Sequence, residues 1–138
     1  MSVPSALAIS AADPGGGLLA TDLLAFDALG VLGSGVVTAL TSHGIRQPGS
    51  LHDAPMTMLR ASLEAAFSTR PPSSVKVGLL TTVPAVRAVA RALAPGSVPV
   101  VVDPGFVPRS GVRHLRSTVV DAVVRDEVVD AVDVDRLL

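Results

Sequence analysis

The 138-residue sequence contains no cysteine, tryptophan or tyrosine, and three phenylalanines are its only large aromatic residues. Without cysteine the chain forms no disulfide, offers no thiolate to a metal and has no cysteine nucleophile. With so few aromatic side chains it also lacks the stacking surface to which single-stranded nucleic acids bind. These absences exclude a disulfide-rich scaffold, a thiolate metal site and a single-strand-binding protein.

An excess of charge of one sign is also missing. Eleven basic and twelve acidic residues give a net charge of −1, and Lys76 is the only lysine. The arginines are scattered along the chain, so no basic stripe is present to follow a phosphate backbone. We therefore expect no nucleic-acid partner.

Long apolar runs are absent, although 49% of the residues are hydrophobic. Glycine, proline and charged residues interrupt every stretch before it reaches the roughly 18 residues needed to cross a bilayer. The N-terminus, MSVPSALAISAADP, has no basic segment and too short an apolar core for a signal peptide. We expect a cytoplasmic protein with no membrane partner.

What the sequence does contain is an alternation of short apolar strands and amphipathic helices, in one domain spanning residues 1–138. Val- and Ala-rich runs bounded by Gly and Pro are typical of strands buried on both faces. Strands are predicted at 6–10, 34–40, 75–80 and 98–102, with helices between them at 18–29, 56–68 and 83–94. This order predicts an α/β fold with three layers, a mostly parallel sheet with helices on both faces.

The ends and faces of the helices can also be predicted. Gly30 is placed to end the first helix and Thr82 to cap the third. Asp22 is expected off the buried face of the first helix, which is formed by Leu19, Leu23, Phe26 and Leu29.

Two stretches are less regular. Pro48, Gly49 and Pro55 predict a loop after a polar turn at 41–44. In the C-terminal segment 112–138, Thr118 and Asp121 fit a capping box ahead of a Val-rich helix. Residues 131–138 either extend that helix or form a short fifth strand.

The carboxyl ends of the predicted strands carry the polar and glycine-rich residues, in segments 13–17, 41–44, 78–81 and 103–106. In a parallel sheet these ends meet at one edge, where ligands of such folds bind, and the start of the first helix adds free N–H groups there. We therefore predict a site for an anion or a polar small molecule. It includes Asp13, Gly16, Gly17, Asp22 and Asp103.

Each of these features also has a purely structural interpretation. The glycine triplet is equally a tight turn, and it matches neither G-x-G-x-x-G nor G-x-x-x-x-G-K-[ST]. Asp22 in a first helical turn suits the helix dipole, Asp103 can fix a turn, and His43 is equally an exposed loop residue. Metal-binding spacing of the histidines and a nucleophile elbow are both missing, so we predict no metal site and no catalytic triad.

Four segments match, in order, the motifs of one enzyme family. They are the glycine-rich turn with its helix (ADPGGGLLATDLLAFDALG), GVVTALTSHG, VKVGLL at 75–80 and VVDPGFVPRSG at 101–111. The chain resembles the hydroxymethylpyrimidine/phosphomethylpyrimidine kinases of thiamine biosynthesis, whose fold is ribokinase-like. The resemblance covers residues 6–111, leaves 112–138 divergent, and implies a truncated ribokinase-like fold.

The resemblance implies an aminopyrimidine ligand. Asp22 and His43, where the family has Asp and Gln, would bind the polar edge of the pyrimidine, and Leu79, where the family has Met, would pack on the ring. Ala11 stands where the family has a glycine close to the substrate. The glycine-rich turn is also one residue shorter than in the family.

The family's second half carries a T-P-N strand, acidic residues for Mg²⁺ and a G-T-G-C anion hole, and none of these motifs occurs in the 138 residues. The family uses ATP and Mg²⁺, whereas we expect no cofactor and no catalytic residue for this chain alone. Three functions stay open: a kinase or one half of a split kinase, a non-catalytic small-molecule-binding module, and an interaction subunit. A Val-rich sheet edge further predicts a C2 homodimer with the C-terminal segment at the interface.

Overall fold

The computed structural model describes residues 3–15, 17–44, 47–94, 96, 98–104 and 117–123, with 43, 44 and 47–49 described by their backbone alone. Helices in these ranges are all too short or too polar to cross a membrane. The elements in chain order are β1 (Ser5–Ala12), α1 (Leu19–Ala28), β2 (Leu32–Gly44), β3 (Gln47–Asp53), α2 (Met56–Thr69), β4 (Ser74–Val77), α3 (Val83–Leu93), β5 (Val100–Val102) and α4 (Ser117–Asp121).

The five strands form one sheet in the order β3-β2-β1-β4-β5. β1 pairs in parallel with β2 and with β4, and β4 pairs in parallel with β5, whereas β3 is antiparallel to β2. β1 is central because its small apolar residues, buried from 6 to 11, suit a strand covered on both faces. The predicted mostly parallel α/β sheet is confirmed.

Alternate residues of β1 face two different helical layers. Leu7 and Ile9 lie in the main core together with side chains of α2, α3 and α4. Ala6 and Ala8, one position along in each case, face the opposite side and lie beside two glycines of β2 in the parallel register. Helices therefore cover both faces of the sheet, as predicted.

Two glycines of β2 allow α1 to lie close to this second face. A Cβ at Gly35 would lie 3.0 Å from Leu19, and one at Gly33 would lie 3.1 Å from Phe26. Leu19 and Phe26 thus face the sheet, as their spacing predicts. The prediction for Leu29 is wrong: it is 77% exposed, because it is the C-cap residue and the helix has already ended there.

The predicted helix ends are confirmed at two positions. Gly30 follows α1 with φ +70°, a left-handed conformation that glycine adopts without steric cost. Thr82 Oγ1 accepts a hydrogen bond from the N–H of Ala85 at 3.3 Å and so caps α3. α3 in turn buries Val86 and Val89 completely in the core.

β2 and β3 depart from the prediction. Residues 41–44 continue β2 instead of turning, and 47–53 pair with it as β3 instead of forming a loop. Pro48 is tolerated in β3 because the strand lies at an edge of the sheet, where a residue without an N–H does not have to donate a hydrogen bond to a neighbouring strand. Thr41 of β2 pairs with Leu51, whose side chain packs against the core.

Part of the C-terminal segment packs on the body of the protein. Val119 and Val123 are buried in the main core, and α4 contacts α3. α4 begins at Ser117, so Thr118 lies inside the helix and the predicted cap at Thr118 is wrong. The alternatives predicted for 131–138 lie outside the described residues.

Candidate functional site

Asp13 connects the glycine-rich turn after β1 to β2 through two hydrogen bonds. Its Oδ1 accepts a hydrogen bond from the N–H of Gly15 at 2.7 Å, and its Oδ2 accepts one from Thr41 Oγ1 at 2.7 Å. Thr41 is 4% exposed, so its hydroxyl depends on partners within the protein. The carboxylate of Asp13 therefore holds the turn in place as well as lying at the predicted site.

The turn ends in an unusual backbone conformation at Leu18. This residue has φ +54° and forms an isolated antiparallel bridge with Ala12 directly before α1. A positive φ is unfavourable for leucine and persists only where the surrounding structure holds it. Gly17 is partly buried, with nothing within 4 Å of a Cβ built on it, and Gly16 lies outside the described residues.

Asp22 and Lys76 form an ion pair between α1 and β4. Lys76 Nζ lies 2.6 Å from Asp22 Oδ1 and 2.8 Å from Asp22 Oδ2, and 4.0 Å from Asp103 Oδ2 just beyond β5. The side chains of Lys76 and Asp22 are 24% and 14% exposed, and that of Asp103 is 73% exposed. The structure thus brings two of the predicted site carboxylates to one ammonium group.

The position of Asp22 corrects the expectation that it lies off the buried face of α1. It stands three residues after Leu19 and four before Phe26, so helical geometry places it on the same side as both. Lys76 is not predicted as a site residue; it lies opposite Ala8 in the sheet register and so shares the face that α1 covers. The sequence signal that could have identified Lys76 is a lysine inside an apolar strand, because a lysine there needs a charged partner.

Leu79 lies just beyond β4, which ends at Val77 and does not run to residue 80 as predicted. Its N–H donates to Ser10 Oγ at 3.1 Å, and its carbonyl accepts from Thr38 Oγ1 at 2.7 Å. Ser10 and Thr38 are each 1% exposed, and Leu79 is 8% exposed. The sequence analysis does not predict Ser10 or Thr38 as site residues. The only sequence signal for them is a serine or threonine inside an apolar strand.

Ala11 and His43 are less clearly placed for a ligand. Ala11 is completely buried within the main core. His43 lies within β2, and its side chain is outside the described part of the structure. Among the described residues, no three His, Cys, Asp or Glu side chains are grouped so that they could hold a metal ion. What the described edge offers is polar recognition through carboxylates and one ammonium group.

The sheet order, the two helical layers and the polar carboxyl edge define a ribokinase-like α/β protein. A crystal structure of phosphomethylpyrimidine kinase from Clostridium difficile 630 matches with a TM-score of 0.83 at 25% identity, over 94% of this chain and 56% of that one. The pyridoxal kinase of Bacillus subtilis shares the fold, with a TM-score of 0.83 at 22% identity, over 95% of this chain and 50% of that one.

The family itself follows from the sequence comparisons. The family model for phosphomethylpyrimidine kinase matches residues 13–134. A hydroxymethylpyrimidine/phosphomethylpyrimidine kinase of Rhizobium meliloti is 34% identical over 122 residues, which are 88% of this chain and 46% of that protein. The thiamine biosynthesis multifunctional protein ThiED of Corynebacterium glutamicum is 35% identical over 126 residues, 90% of this chain and 16% of that protein. The chain belongs to the phosphomethylpyrimidine kinase family, and it spans about half the length of the curated kinases it matches.

Proposed function

We propose that the chain binds a hydroxymethyl-aminopyrimidine at the carboxyl edge of its sheet, and so forms the pyrimidine-binding half of a hydroxymethylpyrimidine/phosphomethylpyrimidine kinase. One observation carries the proposal. In a member of this family, the turn held by Asp13 and the segment at Leu79 lie beyond the strand ends of one sheet, and Asp22 is ion-paired with Lys76, one residue before the end of β4. Ligands of open parallel sheets bind at that edge.

The residues at the edge suit the chemistry of an aminopyrimidine. The ligand has an exocyclic amino group, ring nitrogens and a flat apolar face. Asp22 accepts a hydrogen bond from the amino group, while Lys76 holds the carboxylate from the protein side. Leu79, which is 8% exposed, gives the ring an apolar surface, and the sequence adds His43, whose imidazole can donate or accept a hydrogen bond.

Phosphoryl transfer has chemical requirements beyond those of pyrimidine binding. Transfer depends on positioning and on neutralisation of the phosphate charge, usually with a metal ion. No group of three His, Cys, Asp or Glu side chains that could hold a metal ion occurs among the described residues, and Mg²⁺ in phosphoryl-transfer sites is usually held by one or two carboxylates together with the substrate phosphates. We derive no transfer step from the described residues, and we propose that groups outside them carry it out. A non-catalytic binding module is the alternative, and it uses the same pyrimidine site.

Calorimetric titration tests the proposal, with hydroxymethylpyrimidine, its phosphate and ATP added separately to the full chain. We expect both pyrimidines to bind, and Asp22→Asn to weaken binding about 10- to 100-fold, since a hydrogen bond to a charged group contributes about 1.5–3 kcal/mol. Asp27→Asn, on the exposed side of the same helix, is the matched control and leaves the affinity unchanged. Absence of pyrimidine binding, or an Asp22→Asn variant that binds like wild type, contradicts the proposed site.

The ATP titration separates the kinase from the binding module. Pyrimidine binding without ATP binding favours the module. Transfer of the γ-phosphoryl group of ATP to the hydroxymethyl oxygen of the pyrimidine, with release of ADP, favours a complete kinase activity.

We also propose a homodimer. Within the described residues β5 pairs with β4 alone, and Val101 on β5 is 61% exposed. An open apolar edge strand favours pairing with a second chain. Light scattering at micromolar protein tests this, and a monomeric mass contradicts it. The cytoplasmic location stays a prediction, tested by fractionation of cells that produce the chain.

A further inference from the structure

We propose that Ser10 and Thr38 are positioning residues, which hold Leu79 in the orientation that packs against a bound pyrimidine ring. The inference rests on the proposed function, because it takes the ring to bind beside Leu79. The two hydroxyls do not touch the ligand, since both residues are 1% exposed. They act through the backbone of Leu79.

The backbone hydrogen-bond ladder of the sheet ends just before Leu79. The N–H of Gly78 still donates to the carbonyl of Ile9 at 2.8 Å, one residue past the end of β4. At the next residue the partners are side chains: Ser10 Oγ accepts from the Leu79 N–H at 3.1 Å, and Thr38 Oγ1 donates to the Leu79 carbonyl at 2.7 Å. Buried peptide groups need partners, so these hydroxyls replace the strand neighbour that the ladder no longer supplies.

The two bonds restrain both of the peptide groups that flank the Cα of Leu79. Ser10 belongs to β1 and Thr38 to β2, so the N–H and the carbonyl of one residue are tied to two different strands. Rotation of the backbone at Leu79 would leave at least one buried polar group without a partner. The direction in which the Leu79 side chain leaves the backbone is therefore fixed by residues that lie below the site.

Gly78 makes the contact with Ser10 possible. A Cβ at Gly78 would lie 2.8 Å from the Cβ of Ser10 and closer still to its Oγ. A side chain at this position would therefore push Ser10 away from the Leu79 N–H. The glycine in VKVGLL and the serine in β1 are thus parts of one arrangement that serves Leu79.

Variants at Thr38 separate the hydroxyl from the rest of the side chain. Thr38→Val removes the hydroxyl at nearly constant volume, and Thr38→Ser keeps it. Ser34→Ala is the matched control, because it removes a hydroxyl of β2 that bonds to the Ala6 carbonyl, away from Leu79. Ser10→Ala removes the other half of the restraint.

Two measurements on the full chain are needed: the Kd for hydroxymethylpyrimidine by calorimetry, and hydrogen exchange of the Leu79 amide by NMR without ligand. We expect Thr38→Val and Ser10→Ala each to raise Kd about tenfold and to speed exchange at Leu79 by about tenfold or more. Thr38→Ser and Ser34→Ala stay close to wild type in both. If Thr38→Val does not fold, Ser10→Ala carries both measurements.

The outcomes distinguish this inference from the proposed function. Unchanged exchange at Leu79 in both variants means that the hydroxyls do not restrain it, and the inference is wrong. Faster exchange with an unchanged Kd also overturns it, because the orientation of Leu79 then has no effect on the ligand. A wild-type chain that binds no pyrimidine overturns the proposed function, and the exchange rates still decide whether Leu79 is restrained.

Discussion

Lys76→Met is expected to destabilise the protein more than Asp22→Asn, although the two side chains form a single ion pair. Lys76→Met removes both contacts of 2.6 and 2.8 Å, whereas Asp22→Asn removes the charge and one acceptor oxygen and keeps an amide oxygen that can accept from Lys76 Nζ. The difference lies in the partner left behind. Without Lys76, the carboxylate of Asp22 is only 14% exposed and loses its cation, whereas Lys76 without Asp22 still has Asp103 at 4.0 Å.

The burial of the pair sets the magnitude. Exposed ion pairs contribute up to about 1 kcal/mol, and removing one partner of a fully buried pair costs about 3–5 kcal/mol. With side chains 14% and 24% exposed this pair lies between the two limits. We expect a loss of about 2–3 kcal/mol for Lys76→Met and of about 1 kcal/mol for Asp22→Asn. The double variant is expected to cost less than the sum of the two, since it strands no charge.

Urea denaturation followed by circular dichroism gives the free energy of unfolding of all four proteins, and it suits a chain without tryptophan. In thermal melting, 1 kcal/mol corresponds to a shift of about 4 °C in Tm for a chain of this size. Arg60→Met, at an exposed position of α2 away from its C-terminal turn, controls for the loss of a surface cation and leaves the free energy nearly unchanged. Equal costs for Lys76→Met and Asp22→Asn, or additive costs in the double variant, refute the reasoning.

Three further sets of substitutions test the packing and the helix ends. Gly78→Ala is expected to cost about 1–3 kcal/mol through the clash with Ser10, and Ser10→Gly in the same chain should recover part of this in a urea double-mutant cycle; additivity would contradict it. Gly30→Ala is expected to cost about 1–2 kcal/mol because of its positive φ, whereas Gly17→Ala, with open space at its Cβ, leaves Tm unchanged or raises it; similar shifts for the two would contradict this. Thr82→Ala is expected to lose about 0.5–2 kcal/mol in thermal melting while Thr82→Ser retains the cap, so an equal loss in both would argue against capping.

The strands, the helices and the helix ends could be predicted because each depends on residues that are close together in the sequence. The small apolar residues of β1, the glycine at Gly30 and the cap at Thr82 each act within a few residues of the chain. The pairing of β2 with β3 has no such local cause. Thr41 meets Leu51 only when two segments come together in space, and Pro48 between them favours a loop on local grounds.

The candidate site could be predicted in part, for a related reason. Asp13 and Asp103 stand out in the sequence because they directly follow apolar strands. Thr41, the partner of Asp13, and Lys76, which lies beside Asp103, belong to other strands, at positions set by the strand order and register. The register becomes known only with the whole sheet, so local patterns find the carboxylates and miss the groups that hold them.

Three polar residues inside the strands also identify this edge of the sheet, and they do so without any family motif. Ser10, Thr38 and Lys76 stand in β1, β2 and β4 between buried or half-buried apolar neighbours. A buried polar group without a partner costs about 1–3 kcal/mol, so an apolar residue would serve a purely structural strand better. Each of the three instead binds a segment outside the ladder: two bind Leu79, and one binds Asp22. The geometry of this edge thus depends on side-chain bonds, while the ladder holds the sheet. Substitutions at these positions are therefore expected to alter ligand binding under conditions in which the sheet remains folded.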